Sequence, residues 1–99
     1  MLFAAVYKPI GDQTEAKQKR GLQLFTNWKP PEGFVFKAHY FRADGNGGIA
    51  IVEAASAANL LEGITPWSAY FQFEVTPVVN AEEGVPIQMR VNAWRDSVR

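Results

Sequence analysis

The sequence predicts an α+β fold built on one antiparallel four-stranded sheet, and three observations carry the prediction. Two aromatic and β-branched runs, Phe34 to Arg42 and Ile49 to Ala54, are joined by Ala43-Asp44-Gly45-Asn46-Gly47-Gly48, the composition of a β-hairpin. A segment with helical apolar spacing stands on either side of that hairpin. Strand-like segments, Leu2 to Tyr7 and Tyr70 to Thr76, lie outside the helices.

The first strand, Leu2 to Tyr7, ends at Pro9 and Gly11. Asp12-Gln13-Thr14-Glu15 then offers an N-cap carboxylate with a glutamate three residues on, the signature of a helix start. The polar half of that helix, Lys17-Gln18-Lys19-Arg20, passes into Leu22, Leu24, Phe25 and Trp28 and stops at Pro30-Pro31 and Gly33. In the second strand Phe34, Phe36, Ala38 and Tyr40 fall on one face and Val35, Lys37, His39 and Phe41 on the other. After the hairpin, Ser56 caps a helix through Ala57, Ala58, Leu60 and Leu61, limited by Gly63 and Pro66, with Trp67 in a short turn or helical extension. The fourth strand alternates with period two, ends at Pro77, and places Phe71, Phe73 and Val75 on one face.

The order β-α-β-β-α-β is the ferredoxin-like split β-α-β arrangement, with both helices on one face of the sheet. Neither face of the first two strands is purely polar, so the other face is expected to be covered by a second copy of the chain, sheet to sheet. Residues 1–79 form this unit and residues 80–99 a connector and an extra C-terminal helix. Asn80-Ala81-Glu82-Glu83-Gly84 reads as solvated, Pro86 suits a first helical turn, and Ile87, Val91, Trp94 and Val98 form one apolar stripe.

Composition excludes several classes. Ten basic and ten acidic residues among 99 leave no net field to draw nucleic acid or an anionic membrane, and neither is expected as a partner. With no cysteine there is no disulfide, thiolate metal site or cysteine nucleophile. Leu2-Phe3-Ala4-Ala5-Val6 is too short for a signal h-region or a membrane span, which points to a cytoplasmic protein. Asp44-Gly45-Asn46-Gly47-Gly48 lacks the Lys-Ser/Thr of a phosphate loop and joins two strands, so it reads as a turn. No metal-ligand spacing and no Gly-x-Ser-x-Gly elbow occur, and neither a metal nor a bound cofactor is expected.

The first strand, the Pro30-Pro31-Glu32-Gly33 bend, Ala38-His39-Tyr40, the hairpin hexapeptide, Ile51-Val52-Glu53-Ala54, Trp67 and Phe73-Glu74-Val75-Thr76-Pro77-Val78 together resemble a small bacterial family, the domain of unknown function numbered 3303. The likeness covers residues 1–79. Such proteins are similar to the dimeric α+β barrel superfamily, which includes cofactor-free monooxygenases, muconolactone isomerases and haem-degrading enzymes. The resemblance implies a homodimer and a cavity between sheet and helices, but no single reaction.

His39 is the sole imidazole and the natural acid/base or ligand-anchoring group. The plainer reading is a strand histidine satisfied by a hydrogen bond. Glu53 is its candidate carboxylate partner, subject to hairpin register. If Arg42 faces Ile49, His39 faces Val52, whereas a slip or a bulge at Gly47-Gly48 brings Glu53 opposite His39. Glu74 is a second candidate base, and Tyr7, Phe41, Trp67 and Gln72 are candidate ligand contacts, with Trp28 and Tyr70 extending an aromatic wall. Three readings follow: a dimeric barrel that binds a small, partly apolar molecule and acts on it without a bound cofactor; an interaction module that recruits a protein through its C-terminal helix; and a haem-binding protein.

Overall fold

A computed structural model describes residues 1–99. Strand β1 spans Leu2–Pro9, helix α1 Glu15–Thr26, strand β2 Val35–Phe41, strand β3 Gly48–Glu53, helix α2 Ala57–Ile64, strand β4 Phe71–Val78 and helix α3 Ala81–Ser97, with a 3₁₀ turn at Thr65–Trp67. The four strands form one antiparallel sheet in the order β2-β3-β1-β4, the ferredoxin-like arrangement that the sequence predicts.

Local boundaries shift where side-chain caps decide them. The α1 cap is Thr14, not Asp12: its hydroxyl accepts from the Lys17 amide at 3.1 Å, two residues beyond the expected carboxylate. Ser56 caps α2 as expected, accepting from the Asn59 amide. Gly63 lies in the last turn of that helix, which ends at Ile64 between it and Pro66, and the Phe34 ring occupies the space a side chain at Gly63 would need. Strand β4 runs through Pro77, which is admissible because β4 is an edge strand with one side free of ladder bonds.

The connector expected at residues 80–84 is helical, because the Asn80 side chain accepts from the Glu83 amide at 2.9 Å and starts α3 six residues before Pro86. None of the residues of α3 is buried, and Val85 and Met89 project from the side opposite the Ile87, Val91 and Trp94 stripe, so its apolar residues do not form a single face. At about 1.5 Å per residue it is a free rod of roughly 25 Å.

The larger correction lies in β2. Phe36 pairs with Val52 but Ala38 pairs with Ile51, so Lys37 is an extra residue, a β-bulge, and alternation changes phase there. Phe36, His39 and Phe41 consequently share one face, where strict alternation puts Phe36 opposite the other two. On that face they meet Phe3, Ala5 and Tyr7 of β1, Gly48, Ala50 and Val52 of β3, and Phe71, Phe73 and Val75 of β4. Leu2, Ala4, Val6, Ala38, Tyr40, Ile49, Ile51, Gln72 and Glu74 lie on the opposite, open face by the same register.

The dry core occupies one end of the helix-covered face, where Leu60 of α2 packs with Phe3, Phe34, Ala50, Val52 and Ala54. Trp28, Ile64 and Val75 close around it. At the other end α1 stands off the sheet and buries no residue completely.

Candidate functional site

The gap under α1 follows from side-chain size. The two central strands contribute Ala5 and Ala50 to its floor, while the outer strands β2 and β4 contribute Phe36, His39, Phe41, Phe71 and Phe73. Small residues in the middle and aromatic rings at both edges make a trough. Lys17, Gly21, Leu22 and Phe25, one face of α1, form its roof, and Trp28 and Trp67 close the inner end. The enclosed volume is about 540 Å³, and 15 of the 24 lining residues are hydrophobic. That volume lies within the roughly 300–1,000 Å³ of small-molecule sites.

One polar pair sits inside this lining. The Tyr7 hydroxyl oxygen and His39 Nε2 are 2.7 Å apart. When Nε2 is the bare nitrogen of the neutral ring the tyrosine donates, and in the other tautomer the imidazole donates. Phe36 stacks flat on the imidazole at 5.0 Å, and Phe41 and Phe25 approach it edge-on at 5.2 and 5.9 Å. Phe71 meets the Tyr7 ring edge-on at 5.0 Å.

Removal from water beneath these rings lowers the His39 pKa below its ordinary value of 6.5 and raises that of Tyr7 above 10.0. Both shifts favour the uncharged form. At neutral pH the pair is therefore a phenol and a neutral imidazole, able to offer one hydrogen-bond donor and one acceptor to a third group.

Tyr7, Phe41 and Trp67, three of the sequence candidates, line the trough with His39. The other three do not reach it. His39 is opposite Ala50, and the register fits neither of the two pairings considered from sequence, because the hairpin closes with Phe41 opposite Gly48; the bulge lies beyond His39, at Lys37. Glu53 lies three residues along β3 from Ala50 and therefore on the open face, where its carboxylate pairs with the Met1 amino group at 2.7 Å. Gln72 and Glu74 alternate with Phe71 and Phe73 and point to the open face, where both are exposed. No carboxylate serves His39; its partner is the tyrosine.

Sequence reading missed three positions that shape the site. Gly48 leaves room for the tyrosine, since a Cβ there stands 2.5 Å from the Tyr7 hydroxyl oxygen. The available signal was a second glycine beyond what the turn needs, as Gly45 and Gly47 already supply its positive φ values of 76° and 96°. Phe25 and Lys17 also line the trough, but periodicity alone does not reveal that α1 stands off the sheet.

An antiparallel ferredoxin-like sheet with two helices over an aromatic trough is consistent with the dimeric α+β barrel superfamily. The chain belongs to the family described as Domain of unknown function (DUF3303), whose model matches residues 1–92. The match extends beyond the motifs that end at residue 79 and takes in most of α3. No curated protein and no solved structure matches the chain. No helix is long and apolar enough to cross a membrane, and no group of three or more His, Cys, Asp or Glu side chains is placed to hold a metal.

Proposed function

We propose that the protein binds a small, flat, largely apolar organic molecule in the trough under α1 and anchors one hydroxyl or carbonyl group of it at the Tyr7 and His39 pair. The observation that carries this reading is that pair, 2.7 Å apart and set among aromatic rings on the sheet side of a cavity of about 540 Å³, whose other polar lining residues, Gln13, Lys17, Gln18 and Asp44, belong to α1, its approach and the hairpin turn. Aromatic walls favour planar ligands by stacking and edge contacts, and a polar pair set among them fixes orientation.

The same arrangement suits cofactor-free proton transfer. A neutral imidazole accepts a proton from an acidic carbon or phenol, and the tyrosine hydroxyl donates to the oxygen on which negative charge then collects. His39 is the acid/base group in this scheme and Tyr7 the hydrogen-bond donor. Glu53 and Glu74 have no part in it, since both lie on the far side of the sheet.

The test is a pair of fluorescence titrations with naphthol and naphthalene, read from the cavity tryptophans Trp28 and Trp67. Tyr7→Phe is expected to weaken naphthol binding about tenfold, the scale of one buried hydrogen bond, and to leave naphthalene unchanged. Equal loss for both probes, or binding of neither, overturns the reading.

A homodimer joined through the open sheet face is a second element of the proposal. Tyr40 and Ile49 on that face are 67% and 43% exposed, an unusual amount of apolar sheet surface for a lone chain. The face spans on the order of 450 Å² from strand spacing and length. One side of α3 adds roughly 250 Å². Together they approach the ~800 Å² per partner of a standard interface, so α3 is proposed to lie against the second copy. Recruitment of a different protein by α3 is the competing outcome. Truncation after Val79 separates them: a monomer results in the first case, and an intact dimer that loses its partner in the second.

Haem ligation through His39 draws less support. Its Nε2 is engaged by Tyr7 and the face of its ring is covered by Phe36. A saturable Soret change with haemin that His39→Ala abolishes is the result that establishes it.

A further inference from the structure

We propose that Lys17 selects the class of ligand, so that the molecule held in the trough is an organic anion: an apolar ring system lying inward, with a carboxylate or similar group at the hairpin end under the first turn of α1. This rests on the binding reading above and goes further by assigning charge to the ligand and a residue to its recognition.

The sequence offers three cations in the run Lys17-Gln18-Lys19-Arg20, and of these Lys17 alone lines the cavity. Its position is fixed twice. The Lys17 amide donates to the Thr14 hydroxyl at 3.1 Å, and its ammonium donates to the Ile10 carbonyl just beyond the end of β1. An ammonium has three donors, and this bond uses one of them.

No carboxylate neutralises it. The ion pairs of the molecule are Met1 with Glu53 on the open face and Arg42 with Asp44 on the hairpin turn. Asp44 is the one acid that lines the trough, and it is already engaged: Arg42 Nε donates to it at 3.1 Å and its terminal nitrogen at 2.5 Å, and the Asn46 amide donates at 3.0 Å. The nearby Gln13 side chain donates to the Ile10 and Gly11 carbonyls at 2.9 and 3.2 Å, so it is committed as well. What remains in the lining is one half-buried cation with unused donors, while the cavity's single acid is already satisfied. Its chemical complement is a single negative charge on an apolar body.

The experiment titrates the full chain with naphthoate and with its neutral methyl ester, using tryptophan fluorescence. The wild-type protein is expected to bind naphthoate about tenfold more tightly than the ester, the scale of one charge-assisted hydrogen bond. Lys17→Met should abolish that preference while the ester binds as before, Lys17→Arg should keep it, and Lys19→Met, on the same helix outside the lining, should leave it unchanged. Equal wild-type affinity for the two probes, or a preference that survives Lys17→Met, overturns the assignment of Lys17 and leaves the trough as a binder of neutral molecules. Binding of neither probe overturns the trough as a ligand site altogether.

Discussion

The Tyr7 hydroxyl reaches His39 Nε2 by passing over a strand that lies between them. Tyr7 is on β1, His39 on β2, and β3 separates the two, with Gly48 directly beside Tyr7 in the register. The contact exists because β3 carries no side chain at that point. A Cβ at Gly48 stands 2.5 Å from the hydroxyl oxygen and 2.4 Å from the Tyr40 carbonyl oxygen. Gly48→Ala is therefore expected to destabilise the fold by about 1–3 kcal/mol in urea denaturation. Adding Tyr7→Phe removes the hydroxyl contact and leaves the ring carbon Cζ 2.8 Å from that Cβ, so the double variant should lose only slightly less than the sum of the single losses.

Stability should depend on the one histidine in a defined direction. The folded-state pKa of His39 lies below the ordinary 6.5, so the folded protein binds fewer protons than the unfolded chain as pH falls through that value. Its neutral form costs nothing above about pH 6.5, and stability declines as pH falls from there toward the folded-state pKa. Denaturation midpoints measured between about pH 8 and 5 should drop across this window in the wild type, and His39→Gln should remove that component.

The open volume should be removable without unfolding. Ala5 lies on the trough floor opposite Ala50, beneath the gap under α1. Ala5→Leu should place new methyl groups in that space and reduce naphthol affinity at least about tenfold, with a change in stability below about 1.5 kcal/mol. Unaltered affinity would place the ligand elsewhere.

The fold was legible where one physical signal dominates, and the site was not. Glycine and proline punctuation separates the elements, and period-two spacing assigns Phe71, Phe73 and Val75 to one face, which the register confirms. In β2, aromatic residues occupy both phases, Phe34 and Phe36 before the bulge and Phe41 after it, so nothing in the pattern marks the phase change at Lys37. That change decides the company His39 keeps. Strict alternation separates it from Phe36, whereas the folded chain stacks the two rings. The carboxylate partner expected at Glu53 is absent for a different reason: the hairpin closes with Phe41 opposite Gly48, which sets Ala50 opposite His39, and register is a property of the paired strands and not of either alone. Asn80, by contrast, stands three residues before Glu83 in the sequence, a spacing that marks the helix start at Ala81.

Association should follow the open sheet face. Sedimentation velocity at micromolar concentration is expected to show a dimer, and Ile49→Arg, which puts a charge among Val6, Tyr40 and the neighbouring apolar residues, should yield a folded monomer. A wild-type monomer at that concentration contradicts the proposed pairing.

The most direct measurement follows the imidazole resonances of His39 by NMR while naphthol is added, an unambiguous probe because the chain has one histidine. Saturable shifts of the ring nitrogens, lost in Ala5→Leu, are the expected result, since the ligand hydroxyl enters the Tyr7 and His39 hydrogen bond. Resonances of His39 that stay fixed while the amides of Tyr40 and Ile49 move would put the ligand on the opposite face of the sheet and contradict the account.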